Sequence, residues 1–294
     1  MESPRDILKR HGLRAKYSWG QNFLGDEDAL STIADALHLR AGEPVVELGP
    51  GLGHLTRFLA ATGAKVTAVE RDRDMVTVLE KEAIPGVRVV AGNAATVNFA
   101  EVAGAPDVAV AGNLPYHLTS PILFRVLEQR AHVSRAVFTL QKEVVERLAA
   151  EPGSRDYGLL TVLLGLHFDA ENVLTLEAWR FHPPPKVDSA VLSLTRRAAP
   201  RAPIVDEARF TRVVKAAFAQ RRKTLINSLK SDKSLASHDA WVAALATAGI
   251  DSQRRAETLA PEEFAALERA LGPVAPGTVT PPVALSSVES ESAE

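Results

Sequence analysis

The motif Asn113-Leu-Pro-Tyr116 carries side chains that could act on an aromatic amine. Such an amine is a poor nucleophile because its lone pair is delocalised into the ring. An Asn side-chain oxygen and a backbone carbonyl can each accept one N–H, which favours a pyramidal nitrogen whose lone pair points at a methyl donor. Pro115 would stiffen the turn, and Tyr116 offers a face for base stacking, worth about 1–3 kcal/mol. The motif indicates methyl transfer to a base without a covalent intermediate.

A glycine-rich turn, residues 47–53, could hold the methyl donor. Its glycines permit a tight turn and a close approach of the backbone to a ligand: Gly49, Gly51 and Gly53. Such turns occur in dinucleotide enzymes, in methyltransferases and in simple strand–helix connections. A dinucleotide fingerprint would place glycine where His54 stands. Glu47 would repel a pyrophosphate and attract the ammonium group of a methionine-based ligand, so the turn favours S-adenosylmethionine.

Three further side chains follow predicted strands or precede a proline loop. Glu70 lies about 20 residues after the glycine turn, the offset at which carboxylates accept ribose hydroxyls. Asn93 follows the third predicted strand, where its amide could read the edge of an adenine ring. Phe181 precedes a proline-rich loop and could sandwich a base opposite Tyr116. Each also has a simpler structural interpretation: Glu70 as a solvated carboxylate, Asn93 as a turn residue and Phe181 as a ring of the hydrophobic core.

These residues need a scaffold that brings strand ends together. Short runs rich in β-branched residues predict five strands, at residues 44–48, 65–70, 87–91, 107–111 and 136–140. Helical patterns lie between them, for example at 54–62 and 73–82. This alternation predicts an α/β fold with a mostly parallel sheet covered on both faces.

The pattern changes after Tyr157. Residues 159–168 and 189–196 predict two longer strands, which we expect to form an antiparallel pair at one edge of the sheet. A linker rich in proline and arginine occupies 198–203, and residues 206–271 are helical in pattern. We therefore expect an α/β domain over residues 1–200, a small helical domain over 201–272 and a disordered tail over 273–294.

Charge is unevenly distributed along the 294 residues, although the net charge is only −2. Residues 207–233 hold eight basic and two acidic side chains, which is either a solvated helix face or a phosphate-binding patch. The absence of cysteine excludes disulfides and thiolate metal sites, and the histidines have no convincing metal spacing. With neither a signal peptide nor a membrane span in view, we expect a cytoplasmic protein that does not enter a membrane.

The order of the motifs resembles that of the small-subunit ribosomal RNA adenine N6-dimethyltransferases of the kasugamycin-sensitivity type (KsgA/RsmA). The resemblance covers residues from about 15 to 270, and its landmarks lie at residues 20–24, 47–53, 70, 113–116, 141–147, 153–157, 181–189 and 218–227. It implies a class I S-adenosylmethionine-dependent methyltransferase (Rossmann-like) fold with a small all-α C-terminal domain. It also implies methylation of two adjacent adenosines in the 3′-terminal hairpin of small-subunit rRNA, during ribosome biogenesis.

The resemblance assigns roles to individual residues. It implies cofactor contacts at Asn22, Leu24, Gly49, Glu70, Asn93 and Asn113. It places the target adenine against Asn113, Leu114, Tyr116 and Phe181. A basic helix carrying Arg221, Arg222 and Lys223 would bind RNA phosphates. By the same analogy, 141–147 and 153–157 would line the RNA cleft. The chain departs from the family where Asn93 replaces the usual Asp, which predicts weaker cofactor binding. The expected partners are small-subunit rRNA and the small ribosomal subunit, bound by a monomer.

Several alternatives remain open from the sequence. A large-subunit rRNA adenine methyltransferase of the macrolide-resistance type would share the cofactor and catalytic motifs, although the proline loop at 183–187 and the basic helix favour the small-subunit family. DNA adenine methyltransferases usually carry a second proline where Leu114 stands. A non-enzymatic factor for small-subunit assembly is disfavoured by the intact 113–116 motif. A nicotinamide dehydrogenase is disfavoured by His54.

Overall fold

A computed structural model describes residues 1–273. The chain forms two compact units, one made of residues 1–145 and 170–196 and the other of 146–169 and the described residues from 197 onward. The predicted tail, residues 273–294, lies outside the described residues except for its first position. No helix within residues 1–273 combines the length and the apolar character that crossing a membrane requires.

A seven-stranded sheet contains the five strands that the sequence predicted. The strands, in chain order, are β2 (Pro44–Leu48), β3 (Lys65–Glu70), β4 (Val87–Ala91), β5 (Val108–Asn113), β6 (Val133–Gln141), β7 (Phe168–Leu176) and β9 (Ser189–Arg196). Their order across the sheet is β4-β3-β2-β5-β6-β9-β7. The pairs from β4 to β6 are parallel, and β9 pairs antiparallel with β6. A separate two-stranded sheet joins β1 (Phe23–Leu24) to β8 (Phe181–His182), with Leu24 opposite Phe181.

The central strands are mostly apolar because helices cover the sheet, and their polar residues include Glu47, Glu70 and Asn113 toward the carboxyl ends. Val45, Val46 and Val110, for example, are fully buried. The helices of this part of the chain are α1 (Pro4–Arg10), α2 (Glu27–Asp35), α3 (His54–Ala61), α4 (Arg73–Glu82), α5 (Phe99–Ala103), α6 (Thr119–Glu128) and α7 (Lys142–Leu148). Polar side chains begin several of them, as when Asp26 accepts a hydrogen bond from the Ala29 N–H at the start of α2.

Up to residue 273, the helical unit contains five α-helices. These are α8 (Leu159–His167), α9 (Glu207–Phe218), α10 (Leu225–Leu229), α11 (His238–Thr247) and α12 (Pro261–Ala270). Rings form part of its core: the Phe218 ring lies 6.4 Å from Tyr157 and 5.9 Å from Phe264, between centroids. Trp241 is fully buried.

The predicted strand at residues 159–168 is wrong, because residues 159–167 form helix α8. The run Leu-Leu-Thr-Val-Leu-Leu-Gly-Leu-His is apolar enough to be buried in either conformation, so its periodicity does not distinguish strand from helix. Thr161 accepts a hydrogen bond from the Gly158 N–H and supports the helical start. The strand begins only at Phe168, and this later strand, β7, lies beside β9 at the sheet edge.

Candidate active site

The order in which the chain adds strands to the sheet reverses between β2 and β5. From β2 the chain proceeds outward to β3 and β4, whereas β5 and β6 extend the sheet on the other side. Such a switch point leaves a crevice beyond the carboxyl ends of the strands, where ligands bind in α/β proteins. A cavity of about 290 Å³ occurs in this unit and is lined by almost all the predicted residues of the sheet domain: Asn22, Leu24, Glu47, Gly49, Gly51, Glu70, Asn93, Asn113, Leu114, Pro115, Tyr116 and Phe181.

The glycine turn places backbone at the cavity wall. Gly49 and Gly51 have φ of +65° and +54°, which residues with a Cβ rarely adopt. A Cβ on Gly51 would lie 2.8 Å from the Phe23 ring, whereas one on Gly49 would meet no atom within 4 Å, so that position leaves open space for a ligand. Gly53 does not line the cavity; it begins α3 at φ +81° and lies against Leu79 and Ile84.

Two buried carboxylates lie in the cavity wall. Glu70 is 8% exposed, and its oxygens accept hydrogen bonds from the Gly51 N–H at 3.1 Å and the Asp72 N–H at 2.8 Å. Glu47 is 1% exposed, and its Oε2 has no hydrogen-bond partner among the described residues. Burial, reinforced by the charge of Glu70, raises the pKa of Glu47 to about 8. Burial also raises the pKa of Glu70. A cationic group of a ligand would stabilise the charged form of both carboxyl groups and so lower their pKa values.

Asn93 lies just beyond β4, and one side of its amide is already engaged. Its Oδ1 accepts a hydrogen bond from the Ala95 N–H at 3.0 Å, and its backbone carbonyl accepts from Thr96 and Val97. This turn leaves the Nδ2 hydrogens without a partner among the described residues. The free donor suits a ring nitrogen at the edge of an adenine, which can accept a hydrogen bond.

Asn113, the last residue of β5, has a fixed side-chain orientation. Its Nδ2 donates to the backbone carbonyl of Asn22 at 2.9 Å. Because the nitrogen is used in this way, Oδ1 is the end of the amide left to accept a hydrogen bond from a ligand. Leu114 and Pro115 carry the chain away from the sheet, and the Leu114 N–H donates to the carbonyl of Thr139 at 3.2 Å.

The rings of Tyr116 and Phe181 line the same cavity. The Tyr116 hydroxyl and the Ser189 hydroxyl share a hydrogen bond of 2.8 Å, and Ser189 is fully buried at the start of β9. Burial raises the pKa of Tyr116, so the phenol is neutral at physiological pH. Phe181 is buried in β8 and is followed by a cis peptide bond between His182 and Pro183.

Sequence reasoning gave no role to the segment before Asn22. Trp19, 39% exposed, lines the cavity, and the Lys16 ammonium and Arg71 guanidinium lie 5.2 and 5.4 Å from its ring centroid. Lys16 also pairs with Asp72 at 2.6 Å. Gln21 donates to the same carboxylate at 2.7 Å. In the sequence only Lys16 lies close to Trp19, three residues before it. Arg71 and Asp72 come from the segment between β3 and α4, and no local pattern associates them with Trp19. Ser189 was equally invisible, since its partner is 73 residues away.

Arg221, Arg222 and Lys223 are exposed in the helical unit. The expectation that they lie on a helix is wrong: α9 ends at Phe218 and α10 begins at Leu225, so they occupy the turn between. The Lys223 N–H donates to the Gln220 carbonyl at 2.9 Å, which closes this turn. Arg221 is engaged within the unit, because its guanidinium donates to the Arg155 carbonyl. Lys223 lines a separate cleft.

The cavity therefore combines a polar end suited to a cationic nucleoside ligand with an amide acceptor and two aromatic rings. Histidine and acidic side chains of residues 1–273 form no group of three or more that could hold a metal ion. The arrangement can bind, orient and polarise an aromatic amine, and it contains no nucleophile–base pair of the kind that covalent catalysis uses.

Comparison with known proteins agrees with this chemistry. A model of the ribosomal RNA adenine dimethylase family matches residues 12–271. The chain is 86% identical over 281 residues to the ribosomal RNA small subunit methyltransferase A of Myxococcus xanthus, and the match covers 96% of this chain and 99% of the relative.

Two solved structures share the fold. A dimethyladenosine transferase from Plasmodium falciparum matches with a TM-score of 0.71 and 24% identity, over 83% of this chain and 95% of its own. The 23S rRNA methyltransferase ErmE matches with a TM-score of 0.65 and 31% identity, over 85% of this chain and 99% of its own. These matches confirm the Rossmann-like methyltransferase fold with a helical C-terminal part. The family match and the Myxococcus relative show that the chain belongs to the ribosomal RNA adenine dimethylase family.

Proposed function

We propose that the protein transfers methyl groups from S-adenosylmethionine to N6 of two adjacent adenosines in the 3′-terminal hairpin of small-subunit rRNA, as a step in ribosome biogenesis. Membership of the family makes it an rRNA adenine methyltransferase that uses S-adenosylmethionine. The choice of the small subunit is supported by the 86% identical relative, which is named for that subunit. The fixed orientation of Asn113 is the observation on which the chemistry rests.

The cavity fits the cofactor. Glu70, held by two backbone N–H groups, retains lone pairs that can accept ribose hydroxyls. Glu47 offers a buried oxygen without a partner to the methionine ammonium, and the open space at Gly49 admits the ligand. The Nδ2 of Asn93 can donate to an adenine ring nitrogen. When bound, S-adenosylmethionine supplies an electrophilic methyl group on a sulfonium.

Asn113 would activate the target amine. With Nδ2 committed to the Asn22 carbonyl, Oδ1 accepts one hydrogen of the adenine amino group, and a backbone carbonyl of the 113–116 motif can accept the other. These two bonds favour the pyramidal nitrogen that attack requires. The Asn113 acceptor is already oriented before the substrate arrives. Tyr116 and Phe181 would hold the base ring by stacking, with the Ser189 hydroxyl fixing the Tyr116 phenol.

We assign substrate docking to the helical unit. The basic residues of its α9–α10 turn are suited to the RNA backbone, which positions the substrate without reading its sequence. In this proposal the sheet unit is the catalytic domain, the helical unit binds rRNA within the small ribosomal subunit, and the protein works as a cytoplasmic monomer.

The test uses small ribosomal subunits that lack this modification. They are incubated with the protein and labelled S-adenosylmethionine, the RNA is digested, and the methylated nucleoside and its position are identified. We expect dimethyladenosine at two adjacent positions of the 3′-terminal hairpin. Large ribosomal subunits serve as the parallel substrate, because ErmE shows that this fold also serves a 23S rRNA methyltransferase. Transfer to large-subunit RNA alone would replace the proposal with the resistance-type activity, and transfer to neither would favour a non-enzymatic assembly factor.

A further inference from the structure

The helical unit contains a second concave site, a cleft of about 810 Å³ formed by the α9–α10 turn, α10 and the segment leading into α11. Three lysines line it, Lys223, Lys230 and Lys233, and none of its lining residues is acidic. All three lysines are exposed. Only Lys223 belongs to the three-residue motif that we assign to RNA binding. Lys230 and Lys233 lie in the basic stretch 207–233, for which the sequence left both a solvated face and a phosphate-binding patch open.

The lysine charges are not neutralised within the fold. Among the described residues, no carboxylate forms a salt bridge with any of the three. The nearby Asp232 is engaged elsewhere: Arg212 donates to both its oxygens at 3.0 and 3.1 Å, and the Ser234 hydroxyl donates at 2.7 Å. A charge run on a solvated surface is commonly interleaved with partners of opposite sign. This cleft keeps its positive charges unpaired.

Neutral groups in the cleft hold and complement the lysines. The Lys230 ammonium donates to Asn227 Oδ1 at 2.6 Å, and Asn227 Nδ2 donates to the Thr224 hydroxyl at 2.8 Å. This chain of hydrogen bonds orients Lys230 without cancelling its charge. Gln220 and Ser231 add uncharged donors. The cleft also includes the start of α11, a helix of 10 residues whose N-terminus favours negative charge.

We propose that this cleft binds consecutive backbone phosphates of the rRNA substrate, with Lys230 and Lys233 as contacts additional to Lys223. The inference rests on the proposed function for the identity of the polymer. Lysines are point-charge donors that suit phosphate oxygens without a fixed geometry. Three lysines that line one cleft of this size match several phosphates of a strand better than a single small anion. Arg221 contributes less, because its guanidinium already donates to the Arg155 carbonyl.

The experiment compares wild-type protein with the double variant Lys230→Gln/Lys233→Gln. Binding to an RNA fragment of the 3′-terminal small-subunit hairpin is measured between roughly 50 and 200 mM salt, since each phosphate contact contributes about 0.7–0.9 to the logarithmic salt slope. We expect weaker binding and a slope smaller by about 1.4–1.8. Lys65→Gln/Lys81→Gln, which removes two exposed lysines of the sheet unit, is the matched control and should change neither quantity. Cofactor affinity should be unchanged in both variants.

The outcomes separate the cleft from the proposed function. Unchanged RNA affinity and salt slope in the Lys230/Lys233 variant would overturn the cleft, whatever the methylation assay shows. If the variant bound whole small subunits more weakly but naked RNA normally, the cleft would contact a ribosomal protein. That result would also overturn the proposal that the cleft binds RNA phosphates. A reduced slope for RNA in a protein that methylates neither subunit would support the cleft while refuting the proposed function.

Discussion

The cavity of the sheet unit and the cleft of the helical unit are both polar, but they hold their polar groups in opposite ways. In the cavity, Glu47 and Glu70 are buried and Asn113 is locked by a backbone carbonyl. In the cleft, Lys230 and Lys233 are exposed and carry unpaired charge. Recognition of one reacting atom requires fixed geometry in a dry site, whereas attraction of a polymer requires charge that can adapt. Substitutions in the cavity should therefore change catalysis, cofactor binding or stability, whereas substitutions in the basic region should change RNA affinity and its salt dependence.

The largest effect is expected from Asn113→Ala. Loss of Oδ1 removes the acceptor that prepares the amine. We therefore expect the rate constant of the methyl-transfer step to fall about 10²- to 10³-fold, the effect typical of removing one hydrogen-bonding group oriented toward the transition state. Single-turnover transfer to small subunits measures this, and calorimetry should show cofactor affinity mostly intact. Turnover close to that of the wild type would refute the proposed amine activation.

Glu47→Gln tests the buried carboxylate through stability. The pKa of Glu47 is about 8 in the folded protein and near 4.5 when unfolded, so its contribution to stability is fully present below about pH 4.5 and is lost as pH rises through about 8. Glutamine does not ionise, so the variant does not lose stability through this position as the pH rises. Relative to the wild type, the cofactor-free variant should gain about 2–4 kcal/mol between pH 5 and 9. Urea unfolding across this range measures the difference, and parallel stability curves would contradict it.

Arg222→Glu probes the charge-based region. Reversal of an exposed charge beside Lys223 should weaken RNA binding about tenfold and make it less salt-dependent. Cofactor affinity and the folding of the protein should not change. Titration of the hairpin RNA at several salt concentrations is the measurement. If affinity and slope both stay at wild-type values, the α9–α10 turn takes no part in binding.

Ser189→Ala removes the partner of the Tyr116 hydroxyl. We expect a decrease of about 2- to 10-fold in kcat, matching one hydrogen bond of about 0.5–1.5 kcal/mol, with little change in cofactor affinity. A double-mutant cycle with Tyr116→Phe isolates the positioning effect, since the two changes should be non-additive if Ser189 acts through the phenol. Full additivity would show that Ser189 has only an independent packing role.

The smallest effect is expected from Asn93→Asp, which introduces the residue usual in the family. A carboxylate can accept the adenine amino group with a charge-assisted bond. Cofactor affinity should rise a few-fold, while RNA affinity stays the same. Calorimetric titration with S-adenosylmethionine decides the matter, and equal or weaker binding would show that the Asn93 turn already suits the ligand.

Local patterns account for most of what could be predicted. The β-branched runs and the glycine turn predicted the five central strands, and four of these strand ends supply Glu47, Glu70, Asn93 and Asn113 to one edge. Parallel strands joined by helices leave few alternatives for where such ends meet. The prediction failed at residues 159–167, where a uniformly apolar run carries no period that separates strand from helix. It also failed at Arg221–Lys223, where the helix ends at Phe218.

The amino-acid sequence by itself determined the chemistry available to this protein, because residue types and strand-end spacing place an amide, two carboxylates and aromatic rings at one sheet edge. Only the tertiary structure decided which atoms are free to act. Two hydrogen bonds, from Asn113 Nδ2 to the Asn22 carbonyl and between the Tyr116 and Ser189 hydroxyls, connect residues far apart in the sequence. Folding also brings the three lysines of the cleft to one surface and leaves their charges unpaired. Such partners are set by packing and burial, which no local pattern encodes.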